Sequence, residues 1–211
     1  MTVYEHIMLG VDGALAVGLH RRWGWQIAAW SGCAAALPDW DGLTLVFGGA
    51  CYSAGHRVWG HNLLVAGLSA VILGVVLCRF DFFTRVGQAV PSSWGSVAPS
   101  KSENAVRCSW GLLLAWAVVG LSAAYSHLGM DVLFSSGRDL PVWDVPLLWP
   151  FSARGFAYPT VRWGDPVPTI IFASGMLAMG RWRSATRRIA AVTLALVAAY
   201  VLCLARPLPA A

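Results

Sequence analysis

The sequence predicts an all-α fold: a polytopic integral membrane bundle of about six helices with a long ordered extracytoplasmic loop, folded as one domain over residues 1–211. Two observations predict this class. Hydrophobic residues make up 57% of the 211 residues and charged residues only 12%, whereas soluble domains carry about 25% charge. The apolar runs are also distributed along the whole chain, so we expect no separate soluble module.

Six apolar segments correspond to the predicted helices. Three of them approach the roughly 20 residues that cross a bilayer, namely residues 62–78, 110–126 and 188–205. Proline ends residues 23–37 and opens residues 167–180, which are shorter apolar helices. Residues 6–20 are interrupted by Asp12 and are predicted to form a short, half-buried helix that packs against the others.

Two connecting segments differ in composition. Residues 84–104 are rich in serine, glycine and proline, which is typical of a flexible connection. Residues 134–166 combine five prolines with several tryptophan and tyrosine residues. Because these aromatic side chains favour the boundary between water and lipid, the second segment is predicted to form an ordered cap at the membrane interface.

The basic residues separate into two groups when six helices alternate across the bilayer. Ten of the fifteen fall on one side: Arg21, Arg22, Arg79, Arg85, Lys101, Arg107, Arg181, Arg183, Arg187 and Arg188. The other five fall on the opposite side: Arg57, Arg138, Arg154, Arg162 and Arg206. The positive-inside rule makes the ten-residue side cytoplasmic. The net charge of +5 therefore indicates membrane orientation and not a nucleic-acid partner.

Histidine and aspartate residues gather at helix ends on the side predicted to be extracytoplasmic. The set comprises His6, Asp39, Asp41, His56, His61, His127 and Asp131. Only His20, beside two arginines, falls on the basic side and is excluded. Ionisable residues near a membrane are costly and are usually paired or functional, so the convergence predicts a metal centre. Mixed imidazole and carboxylate ligands favour Zn, with Mn or Fe as alternatives, and suffice for two or more ions.

Each motif also has a purely structural interpretation. His127 and Asp131 are four residues apart, so on a helix they project to the same side. Such a pair either binds one metal ion or forms a hydrogen bond at the helix end. Asp39 and Asp41 lie within one turn, where carboxylates commonly cap helices. The convergence of all the motifs at one membrane face favours the metal interpretation.

Four short motifs follow an N-terminal histidine in a fixed order. After His6 come PDWD at residues 38–41, HRVWGH at 56–61, SHLGMD at 126–131 and VPLLWPFS at 145–152. Together they resemble the membrane-bound metal-dependent hydrolase family, whose members are also called LexA-binding, inner-membrane-associated hydrolases. The family's usual second motif is HRGxTHS, which corresponds to residues 56–62 here. This chain retains His56, Arg57 and His61 of that motif. The departures from it are Val58, Trp59, Gly60 and Asn62.

The resemblance implies a reaction as well as a location. The family is distantly similar to zinc-dependent phospholipase C, which implies hydrolysis of a phosphate ester by a metal-activated water at the inner membrane. Asp39 or Asp41 would orient the attacking hydroxide. Arg57 is predicted to bind the substrate phosphate, with Arg138 and Arg154 of the cap as alternatives. A site at the bilayer edge suits a lipid head group, so we expect a lipid phosphoesterase that acts from the extracytoplasmic face.

Two other classes of protein are compatible with the same residues. A divalent-metal transporter would bind ions transiently at the histidines and aspartates, although transport sites usually lie near the bilayer midplane. A non-catalytic membrane scaffold would bind a protein partner through its cytoplasmic basic loops. The most basic of these loops is RWRSATRR at residues 181–188. The sequence does not identify the partner protein.

Overall fold

The computed structural model describes residues 1–89, 109–135, 142–158 and 160–204. Within these ranges the protein is helical and contains no β-strand, and an isolated bridge pairs Val145 with Phe156. The α-helices are α1 (Val3–Ala16), α2 (Leu19–Trp23), α3 (Trp25–Ala36), α4 (Gly49–Gly55), α5 (Leu63–Arg79), α6 (Phe82–Ala89), α7 (Trp110–Leu133), α8 (Pro166–Arg181) and α9 (Thr186–Ala199). Two 3₁₀ segments, Leu37–Phe47 and Arg183–Ala185, and a π-helical turn, Tyr200–Leu204, complete the described structure.

The six longer helices, α1, α3, α5, α7, α8 and α9, overlap the six apolar segments of the sequence. The segment predicted as one helix over residues 6–20 is divided, because α1 ends at Ala16 and α2 begins at Leu19. The longer helices that follow one another in the sequence run in opposite directions. On α5 and α7, for example, Gly67 faces Tyr125 whereas Gly74 faces Trp116, so the numbering rises on one helix as it falls on the other. The start of α1 and the start of α8 meet through a hydrogen bond from Thr169 Oγ1 to Glu5 Oε1 of 2.6 Å. One end of the bundle therefore gathers the first turns of α1, α5 and α8 with the last turns of α3 and α7.

Two described helices are long and apolar enough to cross a membrane by length and composition. They are Trp110–Leu133 and the 20-residue segment Arg183–Leu202. Leu63–Arg79 is apolar but shorter. Among the described residues, two helices therefore have the length and composition of a membrane span. The six-helix transmembrane arrangement stays a prediction.

The packing of α3, α5 and α7 depends on Trp30, which is almost completely buried. Its indole Nε1 donates a hydrogen bond of 2.8 Å to the carbonyl oxygen of Trp116. Glycines on the two neighbouring helices leave room for the ring, because a Cβ atom would lie 2.6 Å from Trp30 Cζ2 at Gly120 and 2.9 Å from it at Gly74. Small residues therefore let α5 and α7 approach a large aromatic side chain on α3.

We expect Gly120→Ala to destabilise the protein, because the added methyl group would overlap the Trp30 ring. Overpacking of this kind typically lowers the free energy of unfolding by about 1–3 kcal/mol. Thermal unfolding of the purified protein in detergent measures the effect. Gly111→Ala on the same helix is the matched control, since a Cβ atom there meets nothing within 4 Å. Equal stability of the two variants would contradict the packing role of Gly120.

Two parts of the sequence interpretation change. Pro38 ends α3 as predicted, but it is the second residue of a 3₁₀ segment, Leu37–Phe47, so the chain continues in helical turns. Proline is tolerated there since the first turn needs no donor. Residues 84–89 of the predicted flexible connection belong to helix α6. This helix is anchored by Phe83, which is buried against Trp25 and Trp116. The rest of that connection, residues 90–104, lies outside the described residues.

The described part of the predicted cap is held by backbone hydrogen bonds. Val145 and Phe156 exchange two bonds of 2.9 Å each. The cap is tied to the end of α7 by bonds from Trp143 N to Ser135 O, 2.7 Å, and from Tyr158 N to Val132 O, 2.8 Å. Residues 142–158 therefore lie directly over the end of the bundle at which the predicted site residues are found.

Candidate metal centre

Seven side chains predicted from the sequence meet at one end of the bundle. They come from five parts of the chain: His6 from the first turns of α1, Asp39 and Asp41 from the 3₁₀ segment, His56 from the end of α4, His61 from the turn before α5, and His127 and Asp131 from the last turns of α7. His6, Asp41, His61, His127 and Asp131 are almost completely buried. The alternating helix directions thus bring together residues that are up to 125 positions apart.

The centre of the cluster is a pair of imidazole nitrogens that point at each other. His61 Nε2 and His127 Nε2 are 3.1 Å apart. Asp131 Oδ2 lies 3.3 Å from the first nitrogen and 3.5 Å from the second. Asp39 Oδ1 lies 3.4 Å and 3.8 Å from the same two atoms. Two nitrogens and two carboxylate oxygens therefore surround one small volume.

The other ring nitrogens of this pair are engaged elsewhere, which directs Nε2 of each ring into the cluster. His127 Nδ1 donates to the carbonyl oxygen of Ala35 at 2.7 Å, and His61 Nδ1 donates to Asp41 Oδ2 at 2.9 Å. A carbonyl or carboxylate partner on the second nitrogen is the usual support of a metal-binding histidine, because it fixes the tautomer and the ring orientation. Both imidazoles are therefore positioned as ligands.

Asp41 acts on the two neighbouring histidines. Its Oδ1 accepts a hydrogen bond of 2.8 Å from His56 Nδ1, and its Oδ2 accepts from His61 Nδ1 and from the backbone N–H of Gly60, the latter at 2.8 Å. Burial raises the pKa of the Asp41 carboxyl, but the hydrogen bonds from His56 and His61 outweigh burial and lower its pKa to about 2. The carboxylate is thus ionised, and both of its oxygens are occupied.

This geometry favours Asp41 as an orienting group over the metal-ligand or base role predicted for it from the sequence. We expect Asp41→Asn to weaken metal binding about 10–100-fold, the range usual for an outer partner of a metal ligand. An asparagine amide offers only one acceptor where the carboxylate serves both histidines. Titration of the purified protein with Zn²⁺ measures the change, and Asp81→Asn, at the opposite end of α5, is the control. Unchanged affinity in Asp41→Asn would contradict the orienting role.

His6 extends the cluster on the other side of His127. The two imidazole rings are stacked with centroids 3.5 Å apart. His6 Nε2 lies 3.1 Å from Asp131 Oδ1, and the same oxygen accepts a hydrogen bond of 3.0 Å from the amino group of Met1. The Nδ1 atom of His6 and the Oδ2 atom of Asp39 are buried without a hydrogen-bond partner in the described structure. Unpartnered ligand atoms at a buried site are what a metal ion would satisfy.

The electrostatics of the cluster also favour a cation. Burial lowers the pKa of His61, but hydrogen bonds with Asp131, Asp39 and Asp41 outweigh burial and raise its pKa to about 10. The carboxylates therefore stabilise positive charge at this position, which either a proton or a divalent ion supplies. Three overlapping groups have ligand atoms close enough to hold an ion, with all atoms of a group within 4.8 Å of one another. The groups are His6–His127–Asp131, Asp39–His61–His127 and Asp41–His56–His61.

Of the arginines predicted to bind phosphate, Arg57 lies beside the cluster and Arg154 lies away from it. Arg57 is almost completely buried and adopts a left-handed backbone conformation with φ of 62°. Its Nη1 donates to the carbonyl oxygen of Trp143 at 2.8 Å, and its Nη2 lies 3.7 Å from Asp131 Oδ2. Arg154 is exposed and packs over the ring of Phe156, and no described contact joins it to the cluster. Arg138 lies outside the described residues.

Several contributors were not predicted. Trp143 of the cap lies 5.3 Å from the His56 ring and 5.2 Å from the Arg57 guanidinium, and Tyr52 stacks on His56 at 4.6 Å. The aromatic composition of the cap hinted at an interface role for Trp143, but not at contact with the site. Ala35 contributes only its carbonyl oxygen, for which a side-chain pattern gives no signal.

These features define an all-helical protein with two potential membrane spans and a buried histidine–aspartate cluster that could hold a metal ion. The chain belongs to the YdjM inner membrane protein family, whose description is "YdjM inner membrane protein" and whose model matches residues 1–208. No curated protein and no solved structure matches the chain. Membership confirms the predicted membrane association and inner-membrane location. Hydrolase activity and similarity to phospholipase C stay predictions.

Proposed function

We propose that this protein is a membrane-bound, metal-dependent hydrolase that cleaves a phosphate ester, with a membrane lipid as its most favourable substrate class. The observation that carries the proposal is the convergence of His61 Nε2 and His127 Nε2, 3.1 Å apart, with two carboxylates beside them. Mixed nitrogen and oxygen ligands suit Zn²⁺ best, with Mn²⁺ or Fe²⁺ as alternatives. The two groups that do not use Asp41 as a ligand, His6–His127–Asp131 and Asp39–His61–His127, support a centre of two ions.

We further propose that the six longer helices cross the inner membrane and that the cluster faces the extracytoplasmic side. The alternating helix directions support this topology, because they place every cluster residue at one end of the bundle. Arg21, Arg187 and Arg188 lie together around a separate surface cavity between the end of α1 and the start of α9, at the opposite end. Basic residues mark the cytoplasmic side of membrane proteins.

Each residue has a role in the proposed reaction. A bound divalent ion supplies Lewis-acid activation of water and of a phosphoryl oxygen. Asp39 is the cluster carboxylate most accessible to substrate, with 18% of its side chain exposed against 0% for Asp41 and 3% for Asp131. We propose that Asp39 accepts a proton from the attacking water. Arg57 lies beside Asp131 and donates to Trp143 O, and we assign its remaining N–H donors to the substrate phosphate.

A lipid substrate is favoured by the surface around the cluster. The 3₁₀ segment that carries Asp39 exposes a run of apolar side chains, with Leu43 68% exposed, Leu45 60%, Val46 81% and Phe47 80%. Exposed apolar patches of this kind mark membrane or partner contacts. Because the segment lies at the same end of the bundle as the cluster, a lipid phosphate at the membrane surface would reach the metal ligands.

Metal content and hydrolysis measured on the same purified protein test the proposal. We expect stoichiometric Zn²⁺, Mn²⁺ or Fe²⁺ by elemental analysis, and hydrolysis of phospholipids or phosphate monoesters that a chelator removes and added metal restores. Protein without a transition metal and without metal-dependent hydrolysis would contradict the proposal. Metal flux in proteoliposomes without hydrolysis would instead identify a transporter.

A further inference from the structure

A groove on the outside of the bundle begins beside the candidate metal centre. It lies between the first turns of α5 and the middle of α7, and its upper rim is residues 147–151 of the cap. The apolar lining includes Leu64, Leu68 and Val71 of α5, Leu121 and Tyr125 of α7, and Leu148 of the cap. Its volume is about 420 Å³, within the roughly 300–1,000 Å³ of small-molecule sites. The rim belongs to the VPLLWPFS motif, which the metal centre does not use.

The groove is connected to the cluster through backbone and side-chain contacts. Leu63, two residues after the metal-ligand candidate His61, donates its N–H to Leu147 O at 3.0 Å. The carbonyl of Leu63 accepts a hydrogen bond of 3.1 Å from Tyr125 Oη, two residues before His127. The groove therefore starts directly beneath the two histidines. It then follows α5 and α7 away from the cap and along the apolar surface of the bundle.

The shape of the groove depends on a glycine. At Gly67 a Cβ atom would lie 2.6 Å from Tyr125 Oη and 3.3 Å from Leu121 Cδ1. The missing side chain lets the Tyr125 phenol lie across α5 and reach Leu63. Tyr125 supplies a polar lining atom that is already hydrogen-bonded, and the side chains named above are otherwise hydrocarbon. A ligand in this groove is therefore an apolar chain.

We infer that this groove positions one acyl chain of the lipid whose phosphate is presented to the His61–His127 cluster. The inference rests on the proposed function and narrows its substrate class to long-chain lipids. The groove leads from the phosphate position into the apolar zone, which is the direction an acyl chain takes from its head group. Chains in a bilayer are already surrounded by hydrocarbon, so the groove orients the substrate and adds little binding affinity. Its contribution is correct placement of the phosphate.

Leu68→Trp tests the inference, because the larger ring would fill the middle of the groove. Leu68 is 53% exposed, so the substitution does not disturb the buried core. Ile72→Trp is the matched control: it lies one turn further along the same helix, is 58% exposed and does not line the groove. Thermal unfolding and metal content of both variants should equal those of the unsubstituted protein.

The first readout is hydrolysis of dioleoyl phosphatidic acid and dibutyryl phosphatidic acid, which share a head group. We expect Leu68→Trp to lower kcat/KM at least 10-fold for the long-chain lipid and less than 2-fold for the short-chain lipid. Ile72→Trp should change neither value. Equal loss on both substrates, or no loss on either, would overturn the groove inference while the proposed hydrolase function stands.

The second readout is independent of hydrolysis. A phosphatidic acid with a photoactivatable group in its acyl chain should label Leu68, Val71 and Tyr125 more strongly than Ile72 and Leu114, which are exposed elsewhere on the helices. Leu68→Trp should abolish this preference and Ile72→Trp should retain it. Even labelling of all exposed apolar positions would overturn the inference. Preferential labelling of a protein that lacks metal and hydrolysis would support the groove while refuting the proposed function.

Discussion

Replacing His61 with glutamine is expected to remove the bound metal and to abolish hydrolysis. His61 belongs to two of the three possible ligand groups and is close to Asp39, Asp41 and Asp131. Glutamine keeps much of the side-chain volume, but the lone pair of its amide nitrogen is delocalised into the carbonyl group and does not replace the imidazole nitrogen as a metal ligand. The loss of activity should exceed the roughly 10–100-fold that is typical for an outer partner. Elemental analysis and a phosphate-ester assay of the same preparation measure both effects.

His20→Gln is the control for this experiment. His20 lies in α2, at the end of the bundle where Arg21 is found, and belongs to none of the three ligand groups. Its replacement should leave metal content and hydrolysis unchanged. A His61→Gln protein that folds, retains stoichiometric metal and remains active would show that His61 is not a ligand. In that case the cluster would be a buried hydrogen-bond network.

The sequence predicts the longer helices because their apolar runs are long and continuous. Leu63–Arg79 and Trp110–Leu133 begin within one residue of the predicted starts, where Asn62 and Ser109 accept hydrogen bonds from the first turns. The 3₁₀ segment Leu37–Phe47 and the short helix α6 were not predicted. Their conformation depends on packing against the bundle, as the burial of Phe83 shows, and short segments carry too few residues for a periodic signal.

The candidate site was predicted through topology and motif spacing. Alternating helices were predicted to place residues from distant segments on one side, and the structure brings all seven predicted metal-site residues together at one end of the bundle. The different roles of the cluster residues could not be predicted from the sequence. These roles depend on which carboxylate oxygen faces which imidazole nitrogen. Asp39 and Asp41 are equivalent in the sequence, yet Asp41 is saturated by three donors whereas Asp39 keeps one oxygen without a hydrogen-bond partner.

Arg57→Gln is expected to lower kcat/KM about 10²-fold while metal content is retained, since removal of one donor to a developing negative charge typically has this magnitude. The Arg57 backbone adopts φ of 62°, a conformation that costs a non-glycine residue free energy and is concentrated at functional sites. It directs the guanidinium to within 3.7 Å of Asp131 Oδ2. Loss of the positive charge should not weaken metal binding, because a cation beside the ligands opposes the ion.

Arg154→Gln is the matched control, because Arg154 lies in the cap but is exposed and contacts Phe156 instead of the cluster. It should leave kcat/KM and metal content unchanged. Arg57→Lys should recover part of the lost activity, since lysine keeps the charge but cannot form two parallel hydrogen bonds to phosphate. If Arg57→Gln instead lowers the unfolding temperature and metal content together, its bond to Trp143 O serves mainly to dock the cap. The phosphate would then be bound without Arg57.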